Sequence, residues 1–178
     1  AYLMVRSFLR RTEAGAMPSI PARWAATFKR LLPPLALVVV ATLVASLLIL
    51  PANRWQSIVD QSAASLTYWQ NWLLSATATD YFAENHATAS PLQHLWSMSM
   101  QGQVFLLWPV IMTLLVLLSK RLRLPLRKVV FWGFAIIAAL SLLWLLRTDT
   151  PESALYFDTR ARLWEFALGS AIAAVAPR

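Results

Sequence analysis

A run of about twenty apolar residues without a single charge limits what this chain can fold into more than any other feature. The run is LLPPLALVVVATLVASLLIL, residues 31–50. A helix of that length crosses the ~30 Å hydrocarbon layer of a bilayer. Pro33 and Pro34 predict that the helix begins near them, because their missing N–H groups cost least in a first turn. The run therefore predicts a transmembrane helix.

Three further apolar runs repeat the pattern, at residues 102–119, 129–146 and 163–177. The run at 102–119 is short for a span, so we expect its helix to begin earlier, within the polar stretch before it. The chain is 58% hydrophobic and only 13% charged, whereas soluble domains are about 25% charged. These features predict an all-α fold, a polytopic transmembrane helix bundle with about four spanning helices.

The distribution of charge predicts how the bundle is oriented. Basic residues concentrate in residues 1–30 and 120–128, which the positive-inside rule places in the cytoplasm. Residues 51–101 and 147–162 carry few basic residues, and we expect them to be extracytoplasmic. The outer segment 51–101 contains a helical apolar stripe. If this helix crossed the membrane, the basic cluster at 120–128 would lie on the extracytoplasmic side. We therefore predict an interfacial or re-entrant helix.

Composition also excludes several classes of protein. The net charge is +8, but the basic residues lie in short clusters between apolar runs, which does not indicate nucleic-acid binding. The chain has no cysteine and two histidines, so disulfides are excluded and a metal site is not expected. The glycine-rich motifs of nucleotide-binding folds are absent. The predicted partner is the lipid bilayer.

The stretch SPLQHLWSMSMQGQVFLLWP, residues 90–109, places polar groups where an apolar run begins. In a helix starting near residue 93, His94, Ser97 and Gln101 share one face at positions i, i+3 and i+7. The imidazole is suited to act as a general base or to orient a substrate hydroxyl. The alternative is a histidine that caps the helix or binds a loop carbonyl. The other histidine, His86, is predicted to be a solvated loop residue without a role.

Arg162 and Glu165 form a second candidate pair, in the stretch DTRARLWEFALGS. They lie one helical turn apart at the start of the fourth apolar run, and ionisable groups at membrane depth usually face the protein interior. The alternative is a local ion pair near the interface, which contributes little. Trp164 beside Glu165, like Trp96 beside His94, is placed to pack a pocket.

A third candidate is the basic start of the first span, in FKRLLPP. Membrane anchoring by the positive-inside rule accounts for Lys29 and Arg30. The alternative is that the same side chains contact a cytoplasmic anionic ligand such as a nucleotide-phosphate tail.

Several of these stretches, taken in order, resemble the acyltransferase-3 family of integral membrane acyltransferases. LQHLWSMSMQGQVFLLWP is similar to the family's H-x-W-S-L-x-x-E-x-Q-F-Y-L-x-W-P signature. FKRLLPP resembles its R-R-x-x-R-L-L-P helix start, SLTYWQNW its S-L-x-x-x-x-N-W element, and RLWEFALG its R-x-W-E-L-x-x-G helix. YLMVRSFLRR is similar to the segment that follows the family's F-x-x-S-G-F-L-I helix. The likeness covers almost the whole chain.

The resemblance implies a bacterial cytoplasmic-membrane enzyme that takes an acyl group, often acetyl, from cytoplasmic acyl-CoA. The acceptor it implies is a hydroxyl of an extracytoplasmic glycan or glycolipid, with no metal. It implies that residues 1–178 are part of a single transmembrane acyltransferase domain. The residues that it places in catalysis are His94, Ser97, Gln101, Arg162 and Glu165, and those that it places in substrate binding are Trp96, Trp164, Lys29 and Arg30.

Two departures from the family pattern leave alternatives open. Gln101 occupies the position of the signature's glutamate, and an amide can hydrogen-bond but cannot carry a proton or a charge. The family's principal catalytic histidine lies in a first helix that would precede Ala1, so we expect an internal fragment that is inactive alone. The alternatives to an acyltransferase are a transporter or export component, or an inactive remnant of the family.

Overall fold

A computed structural model describes residues 1–16, 19–83 and 90–177, and the regular secondary structure in these ranges is all helical. Short 3₁₀ turns at Ala52–Arg54 and Gln93–Leu95 precede the third and fifth helices. The helices are α1 (Tyr2–Glu13), α2 (Ile20–Ile49), α3 (Trp55–Leu66), α4 (Gln70–Ala83), α5 (Trp96–Leu122), α6 (Leu126–Arg147), α7 (Glu152–Leu155) and α8 (Thr159–Val175).

Among the described residues, three helices are long and apolar enough to cross a membrane, namely α2, α5 and α6. The predicted all-α membrane fold is therefore confirmed. The helix over the second apolar run begins at Trp96, which confirms that it starts inside the polar stretch. The fourth predicted span lies in α8, which has 17 residues and is about 26 Å long at 1.5 Å per residue. It is not one of the three candidate spans.

The prediction that Pro33 and Pro34 lie in a first turn is wrong, because α2 begins at Ile20 and both prolines lie in its interior. Basic side chains in the first turns of α2 hide its true start from a search for apolar runs. Each proline lacks the N–H that would bond the carbonyl four residues earlier. The carbonyl groups of Lys29 and Arg30 therefore lose their helical donors, a gap that membrane helices tolerate.

The chain divides into two compact units, and α2, α5 and the stretch around α8 contribute residues to both. The first unit consists of Ala1–Ala26, Val104–Thr148 and Arg160–Arg178. The second consists of Thr27–Gln103 and Asp149–Thr159.

The core of the first unit is built around Trp108 of α5. Its ring stacks on Phe134 of α6 with centroids 5.4 Å apart, and it meets the ring of Phe166 of α8 edge-on at 6.5 Å. Its indole N–H donates to the Ser170 Oγ at 2.7 Å. An aromatic ring adds a large buried area, and the hydrogen bond satisfies its one polar atom. Trp108 thereby fixes α5 against α6 and α8.

In the second unit, α3 runs back along α2. The Trp55 indole donates to the Leu50 carbonyl at 3.1 Å, and the Tyr68 ring packs edge-on against Phe28 at 5.4 Å. About 33 Å of helix separates Leu50 from Phe28 at 1.5 Å per residue. Tyr68 forms the corner between α3 and α4, with a φ of 57°. This segment thus holds two helices, α3 and α4, joined at a corner.

Candidate functional site

His94, Ser97 and Gln101 lie on one exposed face at the start of α5, and we call these three residues the exposed row. His94 lies in the 3₁₀ turn that leads into the helix. The Ser97 hydroxyl donates to the His94 carbonyl at 3.2 Å. The structure therefore brings together the three side chains that the spacing grouped. Their exposure leaves the imidazole and the Gln101 amide accessible to a ligand.

A polar network lies on another face of the same helix, formed by the partly buried Gln103 and the buried Asn71 and Thr159. The Gln103 Nε2 donates to the Tyr68 carbonyl at 2.8 Å and to the Asn71 Oδ1 at 2.9 Å. The Gln103 Oε1 accepts a hydrogen bond from the Thr159 hydroxyl at 2.7 Å. One side chain therefore connects α5 to the corner before α4, to α4 itself and to the first residue of α8.

Asn71 completes the polar network with its second functional group. Its Nδ2 donates to the Thr159 Oγ1 at 2.8 Å and to the Phe157 carbonyl at 3.1 Å. The Trp72 indole donates to the Gln103 Oε1 at 3.3 Å. A neutral network with these groups satisfied is suited to fix geometry rather than to transfer protons.

Sequence reasoning missed this network, although a signal for it was present. Gln103 stands at the glutamine of the H-x-W-S-L-x-x-E-x-Q signature, and Asn71 stands at the asparagine of the N-W element. The third partner, Thr159, belongs to none of the motifs that carried the resemblance.

Gly102 lies between Gln101 and Gln103 in the sequence, and the Tyr68 ring lies against its backbone. A Cβ at this position would collide with the ring atoms of Tyr68, including Cε1 at 2.6 Å. Burial raises the pKa of the Tyr68 phenol above its ordinary value. The phenol oxygen has no hydrogen-bond partner among the described residues. Glycine is therefore the residue that lets the α3–α4 corner approach α5.

Arg162 and Glu165 form a bidentate ion pair within α8. The Nε and Nη2 of Arg162 lie 2.9 and 3.2 Å from the two carboxylate oxygens. The side chains are 29% and 39% exposed, so solvent screens the pair. The structure therefore shows a partly exposed contact between residues one helical turn apart. The pair belongs to the first compact unit, and the exposed row belongs to the second.

The tryptophans of the two motifs are partly buried. The Trp96 ring contacts Tyr156 at 4.8 Å and Phe157 at 5.6 Å between centroids, which packs the start of α5 on the segment after α7. The Trp164 backbone N–H donates to the Ser141 Oγ at 3.0 Å, which joins α8 to α6. Both residues hold helices in place next to the candidate polar groups.

Lys29 and Arg30 are exposed on α2, one turn before the two interior prolines. Each presents a cationic side chain, and each has a backbone carbonyl released by a proline. His86 lies outside the described residues. Within the described part of the chain, no three His, Cys, Asp or Glu side chains are grouped to hold a metal ion.

Comparison with curated proteins finds relatives across almost the whole chain. A Staphylococcus aureus (strain COL) protein named as an O-acetyltransferase is 28% identical over 177 residues, which are 99% of this chain and 28% of that protein. The peptidoglycan O-acetyltransferase OatA of Listeria monocytogenes is 26% identical over 176 residues, again 99% of this chain and 28% of the relative.

A third relative is the O-acetyltransferase OatA of Staphylococcus aureus (strain NCTC 8325 / PS 47), which is 30% identical over 156 residues. The match covers 86% of this chain and 24% of that protein. The chain thus spans about a quarter of the length of the relatives it matches. No protein-family model matches it, and no solved structure gives a significant match. The chain is distantly related to O-acetyltransferases.

Proposed function

We propose that this chain is part of a membrane O-acyltransferase of the acyltransferase-3 family. In this proposal it moves an acyl group, most simply acetyl, from cytoplasmic acyl-CoA to a hydroxyl of an extracytoplasmic glycan or glycolipid. The observation that carries the proposal is the similarity to O-acetyltransferases over 99% of the chain. Three apolar helices that can span a bilayer support the membrane setting.

The exposed row is the part of the chain suited to meet the acceptor. The His94 imidazole orients the acceptor hydroxyl, and the Ser97 and Gln101 side chains offer hydrogen bonds to neighbouring hydroxyls. The hydroxyl oxygen attacks the acyl carbonyl, the bond to the donor sulfur breaks, and the proton leaves with the thiol. The polar network supports this face because it fixes the backbone of α5 two residues beyond Gln101.

The remaining candidate residues take supporting roles in the proposal. The Arg162–Glu165 pair supplies polarising charge within the first unit, where Trp164 packs beside it, and Trp96 packs beside the exposed row in the second unit. Lys29 and Arg30 face the anionic donor on the cytoplasmic side. The positive-inside rule supports this orientation, with residues 1–30 and 120–128 inside and residues 51–101 and 147–162 outside a bacterial cytoplasmic membrane.

The test uses the full-length protein in a strain that lacks its gene. Ester-linked acetyl groups are released from envelope glycans and glycolipids and quantified by mass spectrometry. We expect His94→Ala and Glu165→Gln to abolish acetylation at unchanged protein level. Asn53→Ala is the matched control, because Asn53 is an exposed residue of the same outer segment. Unchanged acetylation in both test variants would remove these residues from the mechanism, and no acetyl difference between the deletion strain and its parent would overturn the function.

A further inference from the structure

The first unit contains a cavity of about 240 Å³ where the end of α1, the start of α6 and the end of α8 meet. Its charged lining consists of Arg6, Arg10, Arg127 and Glu13, and small side chains of α8 leave the space open. Since a liquid water occupies about 30 Å³, the cavity has room for a tetrahedral anion with some of its hydration.

Two of the three guanidinium groups are held in fixed positions. Arg127 donates to the two Glu13 carboxylate oxygens at 2.7 and 3.4 Å and to the Ala176 carbonyl at 2.9 Å. Arg6 donates to the Tyr2 hydroxyl at 2.9 Å and to the Pro177 carbonyl at 3.2 Å. A guanidinium has five N–H donors, so each retains donors after these bonds. Fixed cations bind an anion with less loss of side-chain entropy than free ones.

Arg10 supplies the third cation of the cavity. It lines the cavity, and no hydrogen bond from its side chain to another described residue occurs in the structure. The one carboxylate of the cavity, Glu13, is already bound by Arg127. Three arginines and one glutamate leave an excess of two positive charges, which matches a phosphate monoester.

Two simpler explanations cover only part of this arrangement. Positive-inside anchoring requires basic residues near a membrane face but neither a cavity nor fixed guanidinium groups. Capping of the carbonyl groups at the end of α8 accounts for one donor of Arg127 and one of Arg6. Neither explains why Arg10 lines the same cavity without a partner in the described part of the chain.

A second cavity, of about 330 Å³, lies against α1 and shares two of these arginines. Arg6 and Arg10 line both cavities, and Arg11 lines the second one. Basic side chains therefore continue beyond the first cavity along one face of α1. This continuity suits a ligand with more than one phosphate or with a phosphate at the end of a larger group.

We propose that Arg6, Arg10 and Arg127 form a phosphate-binding site on the predicted cytoplasmic side of the membrane. The shared chemistry is a phosphate ester held by guanidinium groups, and its source is either a soluble phosphate ester or the headgroup of an anionic lipid. The residues of this site belong to the first compact unit, whereas Lys29 and Arg30, to which the proposed function assigns the donor, belong to the second. Only the choice of a soluble probe rests on the proposed function.

The experiment uses the full-length protein and two probes. In the soluble arm, coenzyme A is titrated against the protein in phosphatidylcholine nanodiscs. In the lipid arm, retention of phosphatidylglycerol is measured by native mass spectrometry after extraction from mixed phosphatidylglycerol–phosphatidylcholine membranes. The test variant is Arg10→Gln, which should fold normally because Arg10 is exposed. Arg121→Gln is the matched control, since Arg121 is an exposed arginine of the other basic cluster and is not among the residues lining either cavity.

We expect Arg10→Gln to weaken binding of one probe by about tenfold or more, the loss of a charge-assisted hydrogen bond. Arg121→Gln should stay within about twofold, because it removes a solvent-screened charge that does not line the cavity. Weaker coenzyme A binding in Arg10→Gln would indicate a soluble phosphate ester, and weaker phosphatidylglycerol retention would indicate a lipid headgroup. Equal effects of the two variants, or no effect of Arg10→Gln in either arm, would overturn the site. Failure of the proposed function is a different result, since it appears as unchanged envelope acetylation in the deletion strain.

Discussion

The exposed row and the polar network use similar side chains on the same stretch of α5, but their surroundings are opposite. Gln101 is exposed and makes no hydrogen bond to a described residue, whereas Gln103 bonds to three different segments. Two residues turn a helix by about 200°, so the two amides point to different faces. One amide is available to a ligand, and the other holds the fold that presents it.

Replacing the two glutamines in turn should break this comparison most clearly. Gln103→Leu leaves the Asn71 amide oxygen and the Tyr68 carbonyl without their partner, which should cost about 3 kcal/mol of stability. Gln101→Leu removes no internal bond and should change stability by less than about 0.5 kcal/mol. Thermal unfolding of the purified protein in detergent measures both. Equal losses in the two variants would contradict the assignment of separate faces.

Gly102→Ala tests the close approach between the two regions. The added methyl group collides with the Tyr68 ring, and overpacking of this kind should destabilise the protein by about 2 kcal/mol. Gly169→Ala is the control, because a Cβ there would lie 4.0 Å from the Tyr2 backbone nitrogen, an ordinary van der Waals distance. In that helix alanine should be neutral or stabilise by up to about 1 kcal/mol. In the same thermal unfolding assay, Gly102→Ala should lower the melting temperature, whereas Gly169→Ala should leave it unchanged or raise it.

Tyr68 offers a smaller, pH-dependent test of the corner that the network holds. Burial raises the pKa of its phenol above 10.0, so the folded state favours the neutral form. Stability from this group is complete below pH 10 and is lost as the pH rises through the folded-state pKa. Tyr68→Phe should stabilise by about 1 kcal/mol by removing a buried hydroxyl without a described partner. Between pH 9 and 11 its melting temperature should fall less than that of the wild type, and an equal fall would show that other groups cause the loss.

Gln101→Glu should have the smallest structural effect and sharpens the functional side of the comparison. The exposed carboxylate should change stability by less than about 0.5 kcal/mol. Because it restores the acid of the resembled signature, we expect envelope acetylation to rise at equal protein level. Mass spectrometry of released acetyl groups measures the change, with Gln101→Leu as the control for loss of the amide. A decrease with the carboxylate would show that this position requires a neutral donor.

The exposed row could be predicted from the sequence because its members are near one another along one helix. Positions i, i+3 and i+7 share a face in any helix, and the structure places His94, Ser97 and Gln101 accordingly. The polar network could not be predicted in this way. Gln103 is 32 residues from Asn71 and 56 from Thr159, and no local periodicity relates such separations.

The start of α2 and the α3–α4 corner also separate what the local sequence predicts from what it does not. Hydropathy located the apolar part of α2 but missed the preceding turns, where Arg23, Lys29 and Arg30 interrupt it. The corner depends on the positive φ of Tyr68. It also depends on contact between the Tyr68 ring and the backbone of Gly102, which lies 34 residues further along the chain. A helical stripe in the outer segment predicted a helix there, but it did not predict where that helix turns back.

The sequence by itself determined that the chain is helical, that it has helices apolar and long enough to span a bilayer, and which side chains share one face of α5. Those properties follow from composition, from the length of apolar runs and from the 3.6-residue helical period. Only the tertiary structure decided that Gln103 joins three segments and that Arg6, Arg10 and Arg127 line one cavity. Such sites form when helices distant in sequence pack together, and the free energy of those contacts depends on distances that a linear pattern does not contain.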